Sequence, residues 1–413
     1  MRLRDGCRAL VRVWGLLLLL ATALAAQGSI DWSRKPVVLL TMGQGEEVFE
    51  KFGHNAIVVW DDAIGEPVVY NWGTFDFEQP NFIGRFLTGD TKYWLARSTL
   101  AQTIAQYRYL NRTLVAQEVQ LAPGQRVRLV AMLAENALEQ NRYYRYDYYR
   151  DNCSTRVRDA LDAVTGGVIR RTMEQQPGEG SYRWQTRRLL AYSAPLYFGS
   201  QLVLGVDAGR PLSGWGEAFL PRSLAQSLMR VELPATDDVP ARPLLAPADT
   251  LFRAERTAEP STVPPRVGLA AVIGALVGAV LLGLVRWGRV GAAAAMLTWS
   301  IATTVVGVIL LLAWFATRHE FMANNPSVAL LNPIWLLGVV AAVMVLRSGV
   351  SPFMRSALRW LLIVAVTGTA AAVLAGHAES AMEIAALVLP GHAAVVYAAD
   401  RYKRRTSARN ALS

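Results

Sequence analysis

The chain has 413 residues, 53% of them hydrophobic, and 42 Lys and Arg against 32 Asp and Glu, for a formal charge of +10. That is long enough for a folded domain plus a membrane part. The positive mean hydropathy of +0.23 is unevenly spread: the early chain is polar and aromatic, the late chain runs in Ala, Val, Leu and Gly. Because many of the Arg residues flank apolar runs, the basic excess reads as membrane orientation and not as a nucleic-acid footprint. No zinc-type cysteine pair, glycine-rich phosphate loop or RNA-binding aromatic motif accompanies it.

Residues 1–27 begin basic (Arg2, Arg4, Arg8, Arg12), continue through an apolar core and end in Ala23-Leu24-Ala25-Ala26, the pattern of a secretory signal. An uncleaved anchor is the alternative, and either one exports the domain beyond it. Residues 28–232 then read as a folded domain. Val37 to Met42, Phe52 to Trp60 and Pro67 to Trp72 are expected strands. A hairpin pairing Trp60 with Pro67 sets Asn71 opposite Ala56, on the face of His54 and diagonally across from it. Ser98 to Tyr109 reads as a helix, Thr113 to Leu121 as a strand, and Pro123 starts a helix to about Gln140. After a tyrosine-rich run, Tyr143 to Tyr149, comes Asp151-Asn152-Cys153-Ser154-Thr155-Arg156. Val157, Ala160, Leu161 and Val164 follow at helical spacing, with Gly166-Gly167 as a stop, so Cys153 falls in the first turn of a helix. Tyr182 to Ser193 is a further expected helix.

Residues 233–265 are rich in proline and read as a linker. Residues 266–400 hold five apolar runs, near Val267–Val285, Ala292–Ala316, Val328–Val345, Trp360–Ala375 and Met382–Ala399, each close to bilayer-spanning length. Arg286 and Arg289, then Arg347, Arg355 and Arg359, and finally the basic tail 401–413 alternate with loops of little excess charge. Positive-inside counting therefore puts the tail in the cytoplasm and the N-terminal domain outside, as the signal independently requires.

Cys153 is one of two cysteines, and the other, Cys7, lies in the signal. A lone thiol outside the cytoplasm pairs with another chain, is buried and inert, or does chemistry. Its place at a helix start favours the thiolate, and His54, the one histidine of the exported domain, is the available base. Asn71 is the candidate to orient the imidazole, with Asp76 behind it; Asn152 or the Cys153 N–H is the candidate to hold an oxyanion. Core packing is the competing reading for Cys153. The tyrosine run reads as packing and interface, Arg156 and Asp159 as a surface ion pair, and Arg183 as either a solvated residue or a contact for a lipid phosphate. His392 should face other helices. His319, Glu320 and His377 form a weak metal candidate, and no metal or cofactor is expected.

Phe52-Gly53-His54-Asn55-Ala56-Ile57, followed much later by Asp151-Asn152-Cys153-Ser154-Thr155-Arg156, resembles the Lnb-type lipoprotein N-acyltransferases of bacteria. Tyr70-Asn71-Trp72-Gly73-Thr74-Phe75-Asp76-Phe77 and Gly216-Glu217-Ala218-Phe219-Leu220-Pro221 support it. The resemblance implies an α+β, circularly permuted papain-like (NlpC-like) exported domain, with His before Cys, followed by an all-α membrane domain of about five transmembrane helices. It implies a bacterial inner-membrane enzyme whose periplasmic Cys153 takes an acyl chain from a phospholipid donor as a thioester. The acceptor would be the N-terminal amine of a diacylglyceryl-cysteine lipoprotein, with His54 moving the protons. The competing expectations are a membrane-tethered cysteine hydrolase, acting on peptidoglycan or lipid esters, and a non-catalytic envelope scaffold.

Overall fold

The structure is a computed structural model and describes residues 30–235 and 239–404. The expected signal, with Cys7, and most of the basic tail lie outside the described residues. The chain forms two compact units. The first comprises Met1–Pro80, Thr91–Glu179 and Leu212–Glu259; the second comprises Asn81–Asp90, Gly180–Pro211 and Pro260–Ser413.

The first unit is α+β. Its strands are β1 (Val38–Met42), β2 (His54–Asp61), β3 (Glu66–Thr74), β4 (Lys92–Thr99), β5 (Leu114–Glu118), β6 (Tyr143–Arg145), β7 (Glu232–Leu233), β8 (Arg242–Pro243) and β9 (Asp249–Phe252). Seven of them make one antiparallel sheet in the order β6-β4-β3-β2-β1-β5-β9, and β7 pairs with β8. The sheet is covered on both faces, which is why β1 and β2 read as continuous apolar runs and not as alternation. Leu39, Ile57 and Val59 face a core closed by the helices Pro123–Asn136, Cys153–Val164, Val168–Glu174 and Pro221–Leu228. Val38, Leu40, Ala56 and Val58 face a smaller core closed by Leu100 and Tyr107 of the helix Leu100–Tyr109.

The expected hairpin register is present: Trp60 pairs with Pro67 and Ile57 with Tyr70. The linker reading is corrected. Within the proline-rich stretch, β9 adds to the edge of the main sheet against β5, and β8 pairs back onto β7. Backbone pairing, which proline content does not report, ties residues 239–259 into the domain. The boundary at 232 is corrected as well, since residues 81–90 and 180–211 belong to the helical unit.

The second unit is helical. Four of its stretches are long and apolar enough to cross a membrane: Val267–Arg286, Arg289–Phe315, Ser327–Arg347 and Pro352–Arg401. The last has 50 residues, about 75 Å if continuous and more than twice the hydrocarbon thickness. It is not continuous: Gly376 sits at φ 88, ψ 8 and breaks it into Pro352–Ala372 and Ala378–Arg401. Five apolar segments result among the described residues, and Ser327–Arg347 is itself built from Ser327–Leu330, the 3-10 turn Pro333–Leu336 and Leu337–Arg347. Helix Val267–Arg286 lays Ala270, Gly274 and Gly278 against Ala378–Arg401, and a Cβ at Gly274 would collide with the Ala386 carbonyl oxygen. Small residues at this spacing let two helix backbones approach closely where no hydrophobic effect drives association. His392 stacks on Trp335 at 3.7 Å, its Nδ1 accepts from Trp299 Nε1 at 3.0 Å, and its Nε2 lies 3.0 Å from the Leu330 carbonyl, so it does face other helices.

Arg183 and Arg187, on the helix Tyr182–Leu189, are both buried. Arg183 Nη1 donates to the Gln201 carbonyl at 3.1 Å and Nη2 to the Gly205 carbonyl at 2.8 Å, which corrects its reading as a solvated or lipid-facing residue. Arg187 Nη2 donates to Glu383 Oε1 at 2.8 Å and Nε to the Tyr197 hydroxyl at 2.9 Å; the hydroxyl donates to Glu383 Oε1 at 2.9 Å, and Glu379 pairs with Nη1. This network fixes segment 180–211 to the last helix inside the second unit. His319 Nε2 bonds the Phe86 carbonyl at 2.9 Å.

Candidate active site

His54 opens β2 and Cys153 opens the helix Cys153–Val164, far apart along the chain. The structure brings both, with Asn71, to the wall of one cavity of about 250 Å³. The approach is close. A Cβ built on Gly73 would lie 3.4 Å from Cys153 Cβ and 3.6 Å from His54 Cε1, so the glycine sits directly over both side chains. Gly73 has φ +91 and lies where the β3–β4 register shifts, between Asn71 and Thr74. A residue with a side chain would be strained there by its backbone conformation, and its Cβ would come into van der Waals contact with Cys153 and His54.

His54 Nε2 donates to Asn71 Oδ1. That bond selects the tautomer protonated at Nε2 and leaves Nδ1 as the basic nitrogen. Asp76 does not share the role: it is exposed, and its Oδ1 accepts from the Glu78 N–H at 2.9 Å. Burial alone would lower the His54 pKa. The neighbouring Cys153 charge, a hydrogen bond with Cys153 and the Asn71 bond outweigh it, so the net shift is upward. Burial alone would raise the Cys153 thiol. The His54 charge and hydrogen bond, with contacts from the Asn55 N–H and the Ser154 hydroxyl, bring it below its ordinary value. The two shifts have one cause, mutual stabilisation of a thiolate and an imidazolium.

The Cys153 helix is held in register with β2 by residues beside the candidate pair. Ser154 Oγ donates to Asn55 Oδ1 at 2.7 Å, and Asn55 Nδ2 donates to the Leu40 carbonyl at 3.1 Å and Thr41 Oγ1 at 3.0 Å. Asn55 and Ser154 are fully buried. Sequence reasoning passed over both. Each adjoins a singled-out residue, and a polar side chain in an otherwise apolar strand was the available signal.

Asn152 is the helix N-cap. Its Oδ1 accepts from the Thr155 N–H at 3.0 Å, and its Nδ2 donates to the carbonyls of Tyr148 at 2.8 Å and Phe219 at 2.9 Å. Both amide hydrogens are thus committed, which corrects the expectation of a side-chain oxyanion donor. The Cys153 N–H, in the first turn where helical amides lack intrahelical partners, is the group of that pair left for the task.

The tyrosine run is corrected too, because Tyr146 and Tyr148 line the cavity with Tyr93, Tyr107, Phe75 and Phe219. Tyr93 stacks on Tyr146 at 4.3 Å and packs on Phe75 at 4.9 Å. Burial pushes Tyr93 and Tyr107 up to about 12 and Tyr146 well above the usual phenol, so these rings stay neutral. Arg156 pairs with Asp151, not with Asp159; Asp159 pairs with Arg158 at 2.8 Å.

Residues 23–191 match the family described as the Lnb N-terminal periplasmic domain, and residues 258–403 match the Lnb transmembrane domain. No curated protein and no solved structure matches the chain. The two family matches follow in the order of the two halves and between them take in His54, Cys153 and the apolar segments of the second unit: the chain belongs to the Lnb family.

Proposed function

We propose that the protein is a membrane-bound thiol acyltransferase that moves an acyl chain from a phospholipid to the N-terminal amine of a diacylglyceryl-cysteine lipoprotein, through a thioester on Cys153. The observation that carries this reading is the His54–Asn71 hydrogen bond beside a buried free cysteine in a single cavity. Membership of a family described by a periplasmic and a transmembrane domain supports it.

His54 Nδ1 takes the thiol proton, and the sulfur attacks the ester carbonyl. The tetrahedral oxyanion is held by the Cys153 N–H, to which the helix start adds favourable dipole. Collapse breaks the ester C–O bond, and the leaving alkoxide takes the proton from the imidazolium. The lipoprotein amine then attacks the thioester carbonyl and gives its proton to His54, and the thiolate departs. Asn71 keeps the ring oriented through both halves.

With the basic loops and tail in the cytoplasm, the catalytic unit lies on the outer side of the inner membrane, where both substrates are anchored. The test is mass spectrometry of lipoprotein N-termini after expression in cells depleted of their own N-acyltransferase. A third acyl chain on the terminal cysteine is expected. Free fatty acid or cut muropeptide with no triacylated lipoprotein would overturn the reading in favour of a hydrolase.

A further inference from the structure

Arg112 lines the same cavity as Cys153 and His54 and is 5% exposed. Its Nε donates to the Gly43 carbonyl at 3.0 Å, its Nη1 donates to Glu50 Oε1 at 2.9 Å, and its guanidinium lies 5.0 Å from the centre of the Tyr107 ring. Nη2 is buried and has no hydrogen-bond partner among the described residues. A guanidinium is always charged, and two unmatched N–H donors on a buried one are costly to leave. Glu50 does not absorb this charge alone. Its Oε2 accepts from the N–H groups of Glu46 at 3.0 Å and Glu47 at 3.3 Å, so the carboxylate is shared with the backbone. Among the described residues lining the cavity, Arg112 is the one permanent cation.

We propose that Arg112 binds the phosphodiester of the acyl donor through Nη2, so that the site selects an anionic glycerophospholipid over an uncharged glyceride. This rests on the acyltransferase reading. Arginine suits the task, because its planar donors match phosphate oxygens in pairs. The phosphate of a glycerophospholipid lies within one glycerol unit of its ester carbonyls, so one cavity receives the phosphate at Arg112 and an ester at Cys153. Fixing the headgroup also fixes which carbonyl meets the sulfur, which raises the effective concentration of the reacting atoms. Nη2 has no accessible surface in this structure, so binding requires the guanidinium to shift toward the cavity.

The experiment uses the full chain in detergent micelles and measures acyl-Cys153 formation by intact mass, with phosphatidylglycerol and with diacylglycerol of the same chains. Arg112→Gln is expected to raise KM for phosphatidylglycerol at least tenfold with kcat within about threefold, and to reduce its preference over diacylglycerol by a similar factor. Arg112→Lys, which keeps the charge without the fork, is expected to fall between. Equal losses on both donors, or a fall in kcat with KM unchanged, would overturn the proposal. A second measurement needs no turnover and no variant: sn-glycerol 3-phosphate should slow iodoacetamide alkylation of wild-type Cys153, while glycerol should not. Protection by inorganic phosphate alone would mean a free-phosphate site and would also overturn it, as would no protection by either. If the wild type forms no acyl-enzyme from any lipid, the acyltransferase reading fails, and the protection arm still decides Arg112.

Discussion

Replacing Asn71 with Ala removes the acceptor bonded to His54 Nε2. The ring is then free to turn and to populate the wrong tautomer. A hydrogen bond to a group that becomes charged is worth about 1.5–3 kcal/mol, which at about 1.36 kcal/mol per decade is a loss of about 10- to 150-fold in acyl-enzyme formation. The pH dependence carries a second signature. The Asn71 bond helps raise the His54 pKa, and the His54 charge helps lower that of Cys153. Without Asn71 the imidazolium weakens, the imidazole pKa falls, and the thiol pKa rises. Alkylation by iodoacetamide, followed by mass on the Cys153 peptide from pH 5 to 10, should level off in the wild type below the ordinary thiol pKa of about 8.5. In Asn71→Ala the curve should move to higher pH. Asn71→Asp keeps an acceptor on Nε2 and should retain most of the rate. A folded Asn71→Ala protein whose rate and alkylation curve both match the wild type would refute the reasoning.

Cys153→Ala and His54→Ala should each abolish N-acylation while the protein still accumulates in the membrane, checked by lipoprotein mass spectrometry beside immunoblots; retained acylation in either would reject the assigned pair. Ser154→Ala leaves Asn55 Oδ1 buried without its hydroxyl donor and should destabilise the first unit by about 1–3 kcal/mol, read as a fall in Tm of the purified protein. Gly73→Ala should slow acyl-enzyme formation, because relieving the strain at φ +91 shifts the backbone beside Cys153 and His54; single-turnover mass spectrometry checks it. Arg187→Met should reduce accumulation in the membrane strongly, because Glu383 is left buried with its charge, an effect of about 3–5 kcal/mol. Adding Glu383→Leu to it should restore much of that loss, and thermal stability in detergent measures both.

Much of the site is legible from local pattern. The β2–β3 hairpin is short, so its register follows from a turn and two apolar runs, and that register puts Asn71 within reach of His54. The Asn152-Cys153 step announces a helix start because an N-cap is a local hydrogen bond. The same local strength misleads at Asn152, whose capping role leaves its side chain nothing for an oxyanion. Strand β4 has no comparable local signal. Its partners are β3 and the three-residue β6, and its own alternation is interrupted by Arg97.

What the amino-acid order determined by itself is whatever neighbouring residues decide: helix starts, the hairpin, the apolar spans and the rarity of the thiol. Only the tertiary structure decided that a proline-rich stretch closes the sheet edge as β9, that Tyr146 and Tyr148 line the cavity, and that Arg112 stands in the same wall as Cys153. Each of these joins segments separated by tens of residues or more. Long-range pairing depends on which surfaces remain unburied once the local elements form, and no window along the chain contains that information.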